Sequence, residues 1–240
     1  MLIDSFTNKK KVLNHFLEIC LFEGWNQKAL EMAFAKAEID IKFLPFIFEN
    51  GCEDLADFFI RTIDEKMQEA AIGVDFGAMK IRDKIKNLVK IRLKINQEYK
   101  PQLQKLIHFY LQPKNISGAL KNSYKTADLM WKLAGDNSTD YNFYSKRIIL
   151  AKIYIRVLVY FVKDESENYQ KTLDLLDSQI EKVMQFAAFK FKVKNRCKQT
   201  GEMLKKVIKT KEQIKADFCQ NPQKNIAGFI KKLPFFRLYK

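Results

Sequence analysis

Few residues in this chain of 240 are equipped for chemistry. Its two histidines, His15 and His108, stand far apart in sequence, and no Glu-x-x-His pair exists to build a di-iron site between helices. Cys20, Cys52, Cys197 and Cys219 lack the paired spacing of metal ligands, so they read as free, buried thiols of a reducing compartment. Phosphate-loop and nucleophile-elbow motifs are absent from the sequence. These observations predict a protein that binds rather than catalyses, with no metal and no cofactor. The densest run of polar, charged and aromatic side chains lies between Thr126 and Arg147.

That run reads as two helices around a polar turn. Leu129, Met130 and Leu133 recur at helical spacing, and Gly135 supplies a left-handed stop just beyond them. Asp136, Asn137, Ser138 and Thr139 bond local backbone and disfavour either regular state. Thr139, Asp140 or Asn142 can cap the next helix, about 142–163, the most hydrophobic of the chain. Trp131, Tyr141, Phe143 and Tyr144 crowd the corner. They either pack the two helices together or form a recognition patch, and periodicity alone does not choose.

The pattern Asp128-x-x-Trp131-x-x-Ala134-Gly135-Asp136-x-Ser138-Thr139-Asp140-x-Asn142-x-Tyr144-x-Lys146-Arg147 resembles the signature of the coenzyme Q biosynthesis accessory family, the ninth Coq protein. Gly24-Trp25 with Leu30, Lys80-Ile81-Arg82-Asp83-Lys84-Ile85, Asp164-Glu165-Ser166 and Leu176-Asp177-x-x-Ile180-x-x-Val183-Met184 extend the resemblance over roughly residues 8 to 195. Phe143 stands where that family usually has Trp, and Phe48-Glu49-Asn50-Gly51 replaces a Phe-Pro-x-Gly pattern. The resemblance implies an all-α, TetR-repressor-like fold, a homodimer, and a non-enzymatic, lipid-binding role. Such a protein would bind a phospholipid or polyprenyl quinone intermediate at the membrane and present it to the di-iron hydroxylase that acts on demethoxyubiquinone. It further implies that Met130, Asp140, Phe143 and Tyr144 contact that hydroxylase. The expected location is the inner membrane surface, facing the cytoplasm of a bacterium or the mitochondrial matrix. The rivals are a ligand-responsive TetR-like transcription regulator and a general lipid carrier.

Composition agrees with helices: 8 Gly and 5 Pro are too few for a turn-rich sheet fold. The first residues show no signal peptide, and Ile148 to Val162, broken by Lys152 and Arg156, is too short to span a bilayer, so a soluble protein is expected. Charge is divided unevenly. Residues 1–76 hold 8 Lys/Arg against 14 Asp/Glu, a net of −6, while residues 77–240 hold 35 against 14, a net of +21.

Residues 1–76 read as a helix-turn-helix-type head: helices at 9–22, after Asn26, around Pro45, and from Asp54 to Ala71. A recognition helix needs basic and amide side chains, yet Lys42 to Asn50 is mostly apolar and acidic. A net of −6 opposes binding to phosphates, so no nucleic-acid contact is expected. Residues 77–200 read as a helical bundle. In it, Lys80, Arg82, Lys84, Lys86, Lys90, Arg92 and Lys94 of a helix from Met79 to Tyr99 read either as a solvated face over Ile81, Ile85, Leu88 and Ile95 or as a site of attraction to anionic lipid. Further helices follow at 101–111, 117–134, 142–163 and about 166–194, with Ile153, Val157, Phe161, Leu173, Leu176, Ile180, Met184 and Phe186 as candidate interior positions. By resemblance, Ile153, Val157, Phe161, Leu176, Ile180 and Met184 line an apolar, lipid-holding interior.

Residues 201–240 form a basic tail. Asn221-Pro222 starts a helix over 221–233 whose Ile226, Phe229, Ile230 and Leu233 share an arc of about 100°. Lys224, Lys231 and Lys232 lie opposite, the pattern of an interfacial membrane helix, the alternative being a helix docked on its own bundle. With each lysine near an anionic surface contributing on the order of 1 kcal/mol, the full chain is expected to co-sediment with anionic vesicles more strongly than a chain ending at Asn221. Equal binding by the two would reject the assignment.

Overall fold

Apolar residues at intervals of three and four give each long segment one greasy stripe, and burying those stripes against one another builds the structure. The computed structural model describes residues 5–136 and 141–197, with side chains described over 6–136 and 143–185. Nine α-helices run through the described residues: α1 Ser5–Glu23, α2 Gln27–Lys36, α3 Leu44–Ile47, α4 Cys52–Ile72, α5 Ile81–Gln97, α6 Lys100–Tyr110, α7 Ile116–Leu133, α8 Tyr141–Phe161 and α9 Gln170–Cys197. Contacts divide the chain into one unit over Met1–Asp177 and another from Ser178 onward.

Aromatics fill the centre of the first helices. Trp25 is buried between Phe16 (centroids 4.8 Å apart) and Phe59 (5.8 Å), and its indole N–H donates to the Cys52 carbonyl at 3.3 Å. Phe48 sits edge-on to Phe34 and Phe58. Asn26 caps α2, accepting from the Ala29 N–H at 2.9 Å, as its residue type anticipates. Gly51, at φ +56, turns the chain into α4, and an added Cβ would lie 3.0 Å from Gln27 Oε1, so glycine is needed there. Cys20 and Cys52 are free and buried, and burial pushes both thiols up to about 12. They stay protonated and inert at neutral pH.

One expectation is corrected. Arg92, placed by sequence with the lysines on the wet face of α5, is fully buried. It follows Leu88 by four residues and Ile85 by seven, which puts it on the apolar stripe. Its guanidinium is ion-paired with Asp64 of α4, and its Nε donates to the Tyr154 hydroxyl of α8 at 2.6 Å. Thr126 of α7 donates to the other Asp64 oxygen at 3.1 Å, and Asn96 donates to the Tyr154 hydroxyl at 3.2 Å. Burial pushes the Asp64 carboxyl up, while the Arg92 charge and the Thr126 hydroxyl pull it back. The guanidinium stays charged because Tyr154 and Asp64 outweigh its desolvation. Four helices thus meet on one buried charge.

The α8–α9 junction is held by Asp164, which is only 6% exposed. Its carboxylate accepts from Ser166 N (2.9 Å) and Oγ (2.6 Å) and from Thr172 N (2.8 Å) and Oγ1 (2.5 Å). Burial alone would raise this carboxyl, but the four donors outweigh it and hold it down at about 2. A depressed folded-state value means that the stabilisation is complete above the ordinary carboxylate value near 4 and is lost as pH falls from there towards 2. Asp164→Asn should therefore destabilise the protein by about 1–2 kcal/mol at neutral pH. That difference should shrink on acidification, as read by urea unfolding across the pH range.

Candidate functional site

The corner between α7 and α8 is built from the residues of the long sequence pattern. α7 ends in a Schellman turn: Gly135 adopts φ +86, its N–H donates to the Lys132 carbonyl, and the Asp136 N–H donates to the Trp131 carbonyl, both at 3.0 Å. The chain is then described again from Tyr141, the first residue of α8. Asp140, expected at the contact surface, lies outside the described residues.

Arg147 locks this corner from beneath, at 1% exposure. Its Nε donates to Asp128 of α7, and its Nη1 donates to Asp136 at 3.2 Å and to the Phe143 carbonyl at 3.0 Å. The Phe143 ring stacks on the same guanidinium, 3.4 Å from its central carbon. Lys146 reaches the other Asp136 oxygen at 2.9 Å and lies over the Trp131 ring at 5.3 Å. Lys132 completes the set, pairing with Asp128 at 2.7 Å. Burial pushes the Asp128 carboxyl up, but hydrogen bonds from Arg147 and Lys132 outweigh it and bring it below the usual carboxylate range. Desolvation works against the Arg147 charge, and Asp128 and Asp136 more than restore it. Trp131 and Phe143 brace the corner, while Tyr144 remains 59% exposed with its ring edge-on to Phe143.

Met130 is corrected. It is fully buried, because Thr126, Ala127, Met130 and Ala134 fall on one line along the inner face of α7. It supports the corner without reaching its surface. Helical periodicity carried that signal, whereas the motif alone did not.

The proposed lipid-lining positions divide. Ile153, Val157 and Phe161 of α8 and Leu176 of α9 are buried, Ile180 is half-buried, and Met184 is 47% exposed. Met184 lies eight residues beyond Leu176, a drift of about 80° around a helix of 3.6 residues per turn, which takes it off the buried line. The side chain of Phe186 and the tail positions Ile226, Phe229, Ile230, Lys231, Lys232 and Leu233 lie outside the described residues. Among the described residues no group of three or more His, Cys, Asp or Glu side chains could hold a metal ion.

The COQ9 family model matches residues 116–187, a span that opens with α7 and contains the whole corner. The mitochondrial ubiquinone biosynthesis protein COQ9 of Rattus norvegicus is 26% identical over 200 residues, covering 81% of this chain and 63% of the rat protein. Its Homo sapiens counterpart is 24% identical over 201 residues, covering 81% and 62%. The probable coq9 protein of Dictyostelium discoideum is 23% identical over 192 residues, covering 76% and 61%. The matches thus span about three-fifths of the length of these relatives. Among solved structures, a TetR transcriptional regulator from Nitrosomonas europaea ATCC 19718 superposes with a TM-score of 0.57 at 18% identity, covering 72% of this chain and 95% of that one. The fold is all-α and TetR-like, and the resemblance carried by the corner motif holds.

Removing Arg147 would leave Asp128 and Asp136 with Lys132 and Lys146 as their remaining ion-pair partners and would empty the buried centre of the corner. Arg147→Met should cost about 1–3 kcal/mol of unfolding free energy. Arg147→Lys should cost less, since it keeps the charge but loses the fork that bonds Asp128, Asp136 and the backbone together. Urea denaturation of the two variants checks the order.

Proposed function

We propose that this chain is a non-enzymatic accessory protein of ubiquinone biosynthesis. It binds a phospholipid or polyprenyl quinone intermediate at the membrane and presents it to the demethoxyubiquinone hydroxylase. The pathway assignment is supported by the COQ9 relatives. In this reading residues 1–76 are a head without a DNA partner, and the buried side chains Ile153, Val157, Phe161 and Leu176 mark where an apolar tail is held. The basic tail carries the chain to an anionic membrane face, which for a mitochondrial protein is the matrix side of the inner membrane. No helix among the described residues is long and apolar enough to cross a membrane.

The observation that carries the docking assignment is the division of labour at the corner. A buried Arg147 pins Phe143, a half-buried Lys146 pins Trp131, and Tyr144 is left facing out. A tyrosine held rigid on a braced corner is the kind of side chain that anchors an interface, since it brings area and a hydroxyl at low entropic cost. Phe143 keeps the apolar area of the family's usual Trp but lacks the indole donor, which removes one polar contact.

Tyr144→Ala should weaken capture of the hydroxylase by about 2 kcal/mol or more, roughly thirtyfold, with the helical melting transition nearly unchanged. A variant that unfolds would instead assign Tyr144 to the core. Native mass spectrometry of the purified chain reads the lipid half of the proposal: a co-purified lipid is expected, and consistent recovery of the bare chain counts against it.

A further inference from the structure

The segment Lys80-Ile81-Arg82-Asp83-Lys84-Ile85 is part of the family resemblance, yet apart from the buried Ile85 neither the corner nor the interior uses it. It opens α5, and its charges run against the helix. Lys80 occupies the N-cap position and Arg82 and Lys84 follow in the first turn, where only Asp83 offsets them. The start of a helix carries the positive end of its dipole, so cations there oppose folding. Such an arrangement has no benefit to the isolated fold.

The lysines also line up. Along α5 the buried side chains are Ile85, Leu88, Val89, Arg92, Leu93 and Asn96. At about 100° per residue, Lys84, Lys90 and Lys94 fall within an arc of roughly 120° on the opposite side, with Lys80 leading into it. From Lys80 to Lys94 this ridge extends about 21 Å at the helical rise of 1.5 Å per residue. Other α5 cations are neutralised locally: Arg92 by Asp64, Lys86 by Asp177 at 2.6 Å, and Arg82 by Asp83 at 3.3 Å. Lys80, Lys84, Lys90 and Lys94 have no carboxylate partner among the described residues.

We infer that this ridge is a second membrane contact, lying along an anionic bilayer surface. Its chemistry selects that occupant. Lysine is a point charge on a flexible stem without the planar fork that reads an individual carboxylate or phosphate, so four of them spread over one helix face suit a diffuse negative surface. Ile72 is 82% exposed and Ile81 is 43% exposed, and they bracket the loop leading into the ridge. Exposed apolar side chains beside lysines are accommodated at a lipid interface and gain nothing against a nucleic-acid backbone. The inference rests on the peripheral-membrane part of the proposed function.

The test uses the full chain and vesicles of phosphatidylcholine, alone or mixed with phosphatidylglycerol, at about 0.1 M salt, where the screening length is about 10 Å. One variant carries Lys80→Gln, Lys84→Gln, Lys90→Gln and Lys94→Gln. Its control carries Lys10→Gln, Lys28→Gln, Lys114→Gln and Lys171→Gln, all at exposed positions. Each surface lysine contributes roughly fivefold, so the ridge variant should lose at least tenfold in binding to the mixed vesicles, and the control much less. Thermal melting should be unaffected, or raised, in the ridge variant. Equal losses in ridge and control would reduce the effect to net charge and overturn the inference, as would full binding by the ridge variant. If the parent chain itself fails to bind, the peripheral-membrane reading falls with it; if the parent binds and the ridge is dispensable, only the ridge falls.

Discussion

The arrangement of the helices depends on one buried charge. Arg92 is enclosed at the junction of α4, α5, α7 and α8, and it is tolerable there only because Asp64, Tyr154 and, through Asp64, Thr126 surround it. A buried ion pair adds little net stability relative to an apolar substitute, but breaking it by removing one partner is expensive. Its consequence is therefore geometric. Apolar stripes can slide past each other at small cost, whereas a guanidinium with fixed partners on neighbouring helices accepts few alternatives. Register and helix order are tied together at that point.

A second charge does the same work at the corner of α7 and α8. Arg147 collects two carboxylates, a backbone carbonyl and an aromatic face, and Lys146 repeats the pattern over Trp131. The two clusters share α7 and α8: Thr126 serves the first cluster and Asp128 the second, while Tyr154 and Arg147 lie two helical turns apart on α8. Asp128, Asp136, Lys146 and Arg147 of the pattern bond one another and so serve the structure of the corner. Among the described side chains of the corner, Tyr144 is the exposed aromatic.

Charge divides the molecule along a different line. The acidic head buries its aromatics around Trp25 and offers phosphate-binding chemistry nowhere along its short third helix. The excess of lysine belongs to the rest of the chain, and many of its described lysines face outward. Attraction to anionic surfaces is long-ranged, salt-sensitive and indifferent to fine geometry, while the corner is rigid and geometrically specific.

The existence of α1, α2 and α4 through α9, the stops at Gly24 and Gly135 and the cap at Asn26 were all legible in the sequence, because they follow from local periodicity and from the conformations that Gly and Asn permit. The resemblance was legible as well, since a long gapped pattern survives where overall identity is low. The sequence also held the clues to Arg92 and Met130, but type outweighed position in reading them: an arginine among lysines looks solvated, and a motif methionine looks exposed. Tertiary structure decided both. Whether an arginine can be buried depends on a carboxylate placed 28 residues away in sequence and a tyrosine placed 62 away. Which of Trp131, Phe143 and Tyr144 faces water depends on where the cations of the same corner come to rest. Local spacing determines which face a residue occupies; only packing determines what that face meets.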